Sequence, residues 1–464
     1  MADKKLNSVP VVDDFSRVMV FSASGAEGQI DKAKFASLMM DDEDRLSYGV
    51  RWYPSTTSSP DLTRTGNPEM HRTLPVQNMM RGCLLADDGT VNQYLPSTSW
   101  EGTTRDGSAG QVMVEVGKHY RRHIAHSDGS FETRLSTQPL PGYSEIPTMY
   151  VGAYQAALQR STSKLCSVVN TTTDYRGGNN TSGWDGTYRS LLGRPATNIS
   201  RSSFTAYARN RGAYGKGNCG WNAYYIDCYV AIYWLFVVEY ATLNSQKSYN
   251  AARDANGYSQ GGLGSGVTDI TGWDSYNSYN PFVPCGHTDS LGNLSGVVTY
   301  KALDSTGATY YSAPVPRYRG IENPFGHVWH WVDGVNVEVN AATANGGTGL
   351  SRMFVANTPA NISASSYSGY THVGNIARTD GYGTRMLWGK TAYPVATSVG
   401  GGSSSYMADY FYTNIPSSGA ALRGRYFGGS ANNGAAAGLS SAASIAAPSF
   451  AYAIIGSRLC FIPA

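Results

Sequence analysis

Residues 420–464 run AALRGRYFGGSANNGAAAGLSSAASIAAPSFAYAIIGSRLCFIPA, the most informative segment of the chain. Phe450, Tyr452 and Ile454 alternate with Ala451 and Ala453. In a strand, successive side chains point to opposite faces, so the three large residues share one face and the alanines take the other. The chain then closes on Ile455, Leu459, Cys460 and Phe461, residue types seldom left in water. Composition alone makes 433–447 a flexible Gly/Ala/Ser-rich tail. The apolar close favours an ordered element instead: a fixed frame that carries outward-facing contact residues.

The 464 residues suffice for two or three domains with a large buried core. Charged residues make up only 15%, against 53 Gly and 33 Tyr, which suits a loop-rich, tightly packed extracellular or virion protein. The formal net charge is +3, and basic residues form no block beyond His119-Tyr120-Arg121-Arg122-His123, so nucleic-acid binding has no electrostatic footprint. Six scattered cysteines contain no CxxC pair and read as mostly free, buried thiols. The opening MADKKLNSVPVVDDF has no charged-then-apolar signal, and the expectation is synthesis in the cytoplasm with release in a virion. The longest apolar run, Tyr229 to Val238, is too short to span a bilayer, so no membrane insertion is expected.

Three regions are expected. Residues 1–47 read as an attachment segment, with an apolar stretch from Val18 to Phe21 and a helix from Asp31 to Met40. Residues 48–143 read as a small β-rich domain: Val50 and Trp52 alternate with Arg51, and Val112, Val114 and Val116 alternate again. Turns are signalled at Asp88-Gly89 and Ser127-Asp128-Gly129. Pro139-Leu140-Pro141-Gly142 reads as a linker. Residues 144–464 form the third region. In it, Met149 to Leu158 predicts a strand running into a helix start, Arg201 to Arg211 an amphipathic helix, and Tyr224 to Leu243 a buried helix. Beyond 250, turns separate short strands.

The run Leu422-Arg423-Gly424, Gly428-Gly429, Asn432-Asn433-Gly434, Ala447-Pro448-Ser449 and Gly456-Ser457-Arg458 resembles the variable region of diversity-generating retroelement target proteins, major tropism determinant-like phage receptor-binding proteins among them. In that family a reverse transcriptase rewrites template adenines, mostly in Asn codons. Carried over by position, the resemblance implies diversified, ligand-binding sites at Ser430, Asn432, Asn433, Ala436, Ala443, Ile445, Ala446, Phe450, Tyr452 and Ile454. All of these residue types are reachable from an AAC codon by changing adenines only. Tyr406, Tyr410 and Tyr426 are expected as flanking contacts, since Tyr, Ser, Gly and Asn supply adaptable contact area as in antibody loops.

Further motifs resemble the formylglycine-generating-enzyme type of C-type lectin fold. They are Met149-Tyr150-Val151-Gly152-Ala153-Tyr154, Gly193-Arg194-Pro195-Ala196-Thr197-Asn198-Ile199-Ser200, Asn323-Pro324-Phe325-Gly326-His327-Val328-Trp329-His330-Trp331 and Gly456-Ser457-Arg458-Leu459-Cys460. The resemblance covers about residues 145–464. It implies an α+β fold class: a C-type lectin-like ligand-binding domain over 144–464, with its variable region at 420–464, behind the small β-rich domain.

Catalysis is not expected. The oxidase of that fold needs paired reactive cysteines near its end, where this chain has only Cys460 in an apolar strand. His327 and His330 form an H-x-x-H, but on a strand this spacing sends the imidazoles to opposite faces, so no metal site is expected there. His119, His123 and His126 are expected to line a solvated turn. Cofactors are expected to be none, with calcium in the loops left open. The expected function is a phage tail receptor-binding, tropism-determining protein of the virion. Its N-terminal region would join tail or baseplate proteins, and its diversified surface would bind a bacterial surface receptor, protein or glycan. A homo-oligomer is expected, a trimer by analogy with phage receptor-binding proteins. The alternatives are a bacterial surface-displayed diversified ligand-binding protein and an oxidase on the same fold.

Overall fold

The run predicted as a buried helix is a helix at Ile226–Tyr240, with nearly every side chain buried. An element apolar all round has no face for water and must lie in a core. It ends where Ala241 takes a left-handed conformation (φ 50°). The computed structural model describes residues 17–21, 27–31, 42–54, 62–270, 282–342 and 349–464. The helix expected at Asp31 to Met40 falls outside the described residues, apart from Asp31, which closes a strand paired with Arg17–Phe21.

Three sheets build most of the rest. The first takes Ser144–Ile146, His119–Ala125, Phe131–Ser136, Tyr48–Trp52 and Thr63–Gly66 in spatial order. In the second the order is Trp221–Ala223, Arg458–Phe461, Met149–Gln155, Gln111–Val116, Arg81–Leu85 and Val91–Tyr94. Its strands come from both sides of Pro139–Gly142, and the carboxyl-terminal strand lies inside it. The largest sheet runs Tyr370–Asn375, Ser351–Ala356, Trp329–Asn340, Ala420–Gly428, Gly438–Ser444, Tyr410–Thr413, Gly381–Leu387 and Tyr393–Val399, with Ile455–Gly456 parallel to the start of Trp329–Asn340.

This architecture corrects the expected α+β class: the chain is β-rich, in mostly antiparallel sheets. The helices at Arg201–Arg209 (9 residues) and Ile226–Tyr240 (15 residues) form as predicted. They are outweighed by strands built from the turn-rich sequence beyond 250, including the 12-residue Trp329–Asn340. Val, Trp and Tyr at alternate positions suit a pleated, half-buried surface, and pairing extended these strands past what local composition suggested. The helix start expected after Met149–Gln155 is instead a second strand, Ala157–Gln159, paired with Lys164–Cys166.

The turns at Asp88-Gly89 and Ser127-Asp128-Gly129 close hairpins as read, joining Arg81–Leu85 to Val91–Tyr94 and His119–Ala125 to Phe131–Ser136. The expected solvated histidine turn is corrected. His119 is buried and His123 half-buried on a strand, and the His123 ring lies 4.9 Å from Trp234 and 5.3 Å from Trp388, while only His126, half-buried and 2.7 Å from Glu132, stands beside the turn. Trp52 stacks on the same Trp234 at 6.0 Å, so strands from the amino-terminal third pack directly on the central helix.

Candidate ligand-binding site

Trp329 and Trp331 lie two apart on one strand and so share a face. Tyr426, opposite Trp331 in the antiparallel pairing, sets its ring edge-on to both indoles, 5.1 Å from Trp329 and 4.8 Å from Trp331. Such T-shaped contacts suit the aromatic quadrupole. Gly424 lacks a side chain because a Cβ there would come within 2.6 Å of the Trp331 ring. One strand further across, Ala443 is in register with Tyr426 on one side and with Tyr412 on the other. Trp329, Tyr426, Tyr412, Ala443 and Ile455 thus form an apolar floor on a stiff, fully paired piece of sheet.

Two loops raise walls on this floor. The first, around Ser430 to Ala437, is held by main-chain bonds: Ile270 N donates to Ala431 O (2.6 Å), Ala431 N to His327 O (3.0 Å), and Gly434 N to Thr268 O. Inside it, Asn433 Oδ1 accepts from Ser430 N (2.7 Å) and Ser430 Oγ (2.9 Å). The second loop follows Ser444. Gly424 N donates to Ala446 O (2.9 Å), Arg201 N to Pro448 O (3.0 Å), Asn198 N to Tyr452 O (3.0 Å), and Trp329 N to Ile454 O (2.8 Å). The donor at Arg201 belongs to the first turn of a helix, whose N–H groups have no partner within the helix. Main-chain bonds do not depend on side-chain identity, so this loop is fixed whatever residues it carries.

The result is a cup of about 270 Å³ lined by Trp329, Tyr412, Tyr426, Asn432, Asn433, Ala443, Ile445, Phe450, Tyr452, Ile454 and Ile455. Seven of the ten residues placed by resemblance line it: Asn432, Asn433, Ala443, Ile445, Phe450, Tyr452 and Ile454. Phe450 (45% exposed), Tyr452 (43%) and Ile445 (41%) stand at its rim, and the Phe450 and Tyr452 rings lie 5.9 Å apart. Asn432 is exposed, and Asn433, Ala436 and Ile454 are half-buried. Ser430, Ala443 and Ala446 are buried, Ser430 completely. Ser430, Ala436 and Ala446 stand outside the cup lining.

The strand expected over Phe450 to Ile454 is corrected to an irregular loop, because its backbone groups are taken by the helix start and by Trp329 rather than by a neighbouring strand. Phe450 and Tyr452 nonetheless share one open side, with Ala453 turned inward. Of the expected flanking tyrosines, Tyr426 is in the floor, and half-buried Tyr410 packs against Tyr412 at 4.6 Å. Tyr406 does not flank the cup. It is buried in the core and accepts a bond from Trp52 Nε1 at 3.0 Å. Sequence reading missed Tyr412 and the place of Trp329 in the floor. The Tyr410-Phe411-Tyr412 alternation was the available signal, since Phe411 is buried while its neighbours are half-open.

Beneath the floor, Asp409 is buried and accepts from Ser440 N and Ser440 Oγ, each at 2.7 Å. Burial pushes its carboxyl up to about 7, with the two Ser440 bonds opposing. Burial likewise pushes the Tyr412 hydroxyl up to about 12.

The H-x-x-H pair is arranged differently from the expectation of opposite faces. His327 precedes the strand in a left-handed conformation (φ 59°), which swings it toward its neighbour. Both rings meet Gln155: His327 Nδ1 at 2.6 Å from Oε1 and His330 Nε2 at 3.0 Å from Nε2. Burial lowers His327 to about 3 and puts His330 well below its usual range, so both are neutral parts of the core. Among the described residues, no group of three or more His, Cys, Asp or Glu side chains is placed to hold a metal ion. All six cysteines are free, five of them buried. Burial pushes the Cys83 thiol up to about 12, away from thiolate chemistry. The sequence matches no protein-family model and no curated protein.

Proposed function

We propose that this chain is a phage tail receptor-binding protein of the retroelement-diversified kind, which binds a bacterial surface receptor through the cup and its rim. One observation carries the reading: seven residues selected by sequence resemblance alone line a single cavity, and that cavity is built on a frame held by main-chain bonds. A recognition surface that must change needs this separation, since exposed substitutions away from buried features typically stay within about 0.5 kcal/mol. The rim fits too, with Phe450, Tyr452 and Ile445 offering contact area of the paratope type. A single cup of this size gives modest affinity. Display of several copies, as in a trimer on the tail, would raise avidity by roughly 10²–10⁴-fold. In this reading the N-terminal region joins the tail and the chain acts by binding rather than by turnover.

The test is the DNA beside the gene. The reading expects a near-copy of the 3′ end with adenines at the codons for the ten sites, next to a reverse-transcriptase gene. A locus with neither, in a genome sequenced through, removes the reading.

A further inference from the structure

We infer that the cup takes one bulky apolar side chain from a protein partner, and that Ala443 sets how deep that side chain sits; the inference rests on the receptor-binding reading. The lining contains no charged side chain, so the complementary group is uncharged. The accessible lining is mostly apolar, and part of its polar capacity is used within the wall. Asn433 accepts from Ser430 and donates to the Tyr412 hydroxyl at 3.3 Å, and Asn432 Oδ1 accepts from Ser430 Oγ at 2.8 Å. A sugar buried here would leave several hydroxyls unpaired, and an unpaired buried polar group costs affinity.

The floor also fails to offer a sugar a flat platform. Trp329 stands at 80° to Tyr426 and at 81° to Tyr412, so the indole lies nearly perpendicular to both phenol rings and continues neither as a flat surface. The volume of about 270 Å³ lies just below the roughly 300–1,000 Å³ of pockets for whole small ligands. It suits an anchor residue of the sort that dominates protein interfaces, an aromatic or large aliphatic side chain in a well-packed pocket. Ala443 sits between Tyr412 and Tyr426 in register with both, so its methyl group is the lowest point of the cup. Phe, Tyr or Ile at this position would fill the cavity from below and change the partner class from an inserted anchor to a flat contact.

Saturation-transfer NMR on the full chain tests this with N-acetyl-L-phenylalaninamide and N-acetyl-L-leucinamide against galactose, mannose and N-acetylglucosamine. The amides are expected to bind at least tenfold more tightly than any sugar, with at least tenfold loss in A443F. The double variant F450A/Y452A, altered only at the rim and so safe for folding, is expected to lose as much. Sugars that bind as well as the amides, or amide binding that survives F450A/Y452A, overturn the inference. Capture of host bacteria by immobilised chain identifies the source: loss after surface proteolysis supports a protein partner, and loss only after periodate oxidation overturns it. A chain that binds the amides yet captures no bacteria removes the receptor reading and leaves the cup chemistry standing.

Discussion

Trp331 and Tyr452 sit in the same region and carry opposite burdens. Trp331 is fully buried, with Gly424 beneath its ring and Tyr426 against its edge. Trp331→Ala is expected to cost about 3–5 kcal/mol. Tyr452→Ala, at 43% exposure, should stay within about 0.5 kcal/mol. Urea denaturation of both variants measures the contrast, and equal losses would remove the distinction between frame and rim. Asp409 gives a pH signature. Its folded carboxyl is raised to about 7, above its unfolded value near 4, so the folded state holds the proton more tightly. Its contribution is therefore full below about pH 4 and is lost as pH rises through 7, at up to about 1.4 kcal/mol per unit. Between pH 4.5 and 8 the wild-type urea midpoint should fall more steeply than that of Asp409→Asn.

At the scale of elements, the helix Arg201–Arg209 and the wall loop depend on each other. Ser200 caps the helix, its Oγ accepting from Ser203 N at 3.2 Å, and the next N–H donor, Arg201, holds Pro448 O. Ser200→Ala is expected to cost about 1 kcal/mol, and amide exchange in residues 447–454 should speed up with it. An unchanged loop would show that the helix start does not hold it. Because the loop hangs on main-chain bonds, the triple variant Ile445→Ser, Phe450→Ser, Tyr452→Ser should keep its thermal midpoint within a few degrees by calorimetry.

Across the fold, the decisive feature is the placement of the strand Arg458–Phe461. Arg458–Phe461 lies between Trp221–Ala223 and Met149–Gln155, and buried Arg458 donates to the carbonyls of Gly152, Glu322 and Asn323 at 2.7–2.9 Å. Removing residues 457–464 opens the six-stranded sheet in its interior and strips those carbonyls of their partner. The truncated chain is expected to lose its cooperative thermal transition, whereas a surface tail would be removed without effect.

Local pattern was enough wherever one element decides its own state. The apolar run at Ile226–Tyr240 had to be buried, the Asp-Gly turns had to close hairpins, and the period of two at Val112, Val114 and Val116 had to be a strand. The apolar ending at Ile455 to Phe461 likewise excluded a loose tail. Pattern misled where a partner supplies the backbone bonds. Phe450 to Ile454 looks like a strand but is tied to a helix start, and Tyr406 looks like a rim residue but fills a space beside Trp52. The cup itself was invisible along the chain, because its floor brings together residues from 329 to 455. Which tyrosines face solvent, and which small residue lies at the bottom of a cavity, depends on cross-strand register, and register is a property of the assembled sheet.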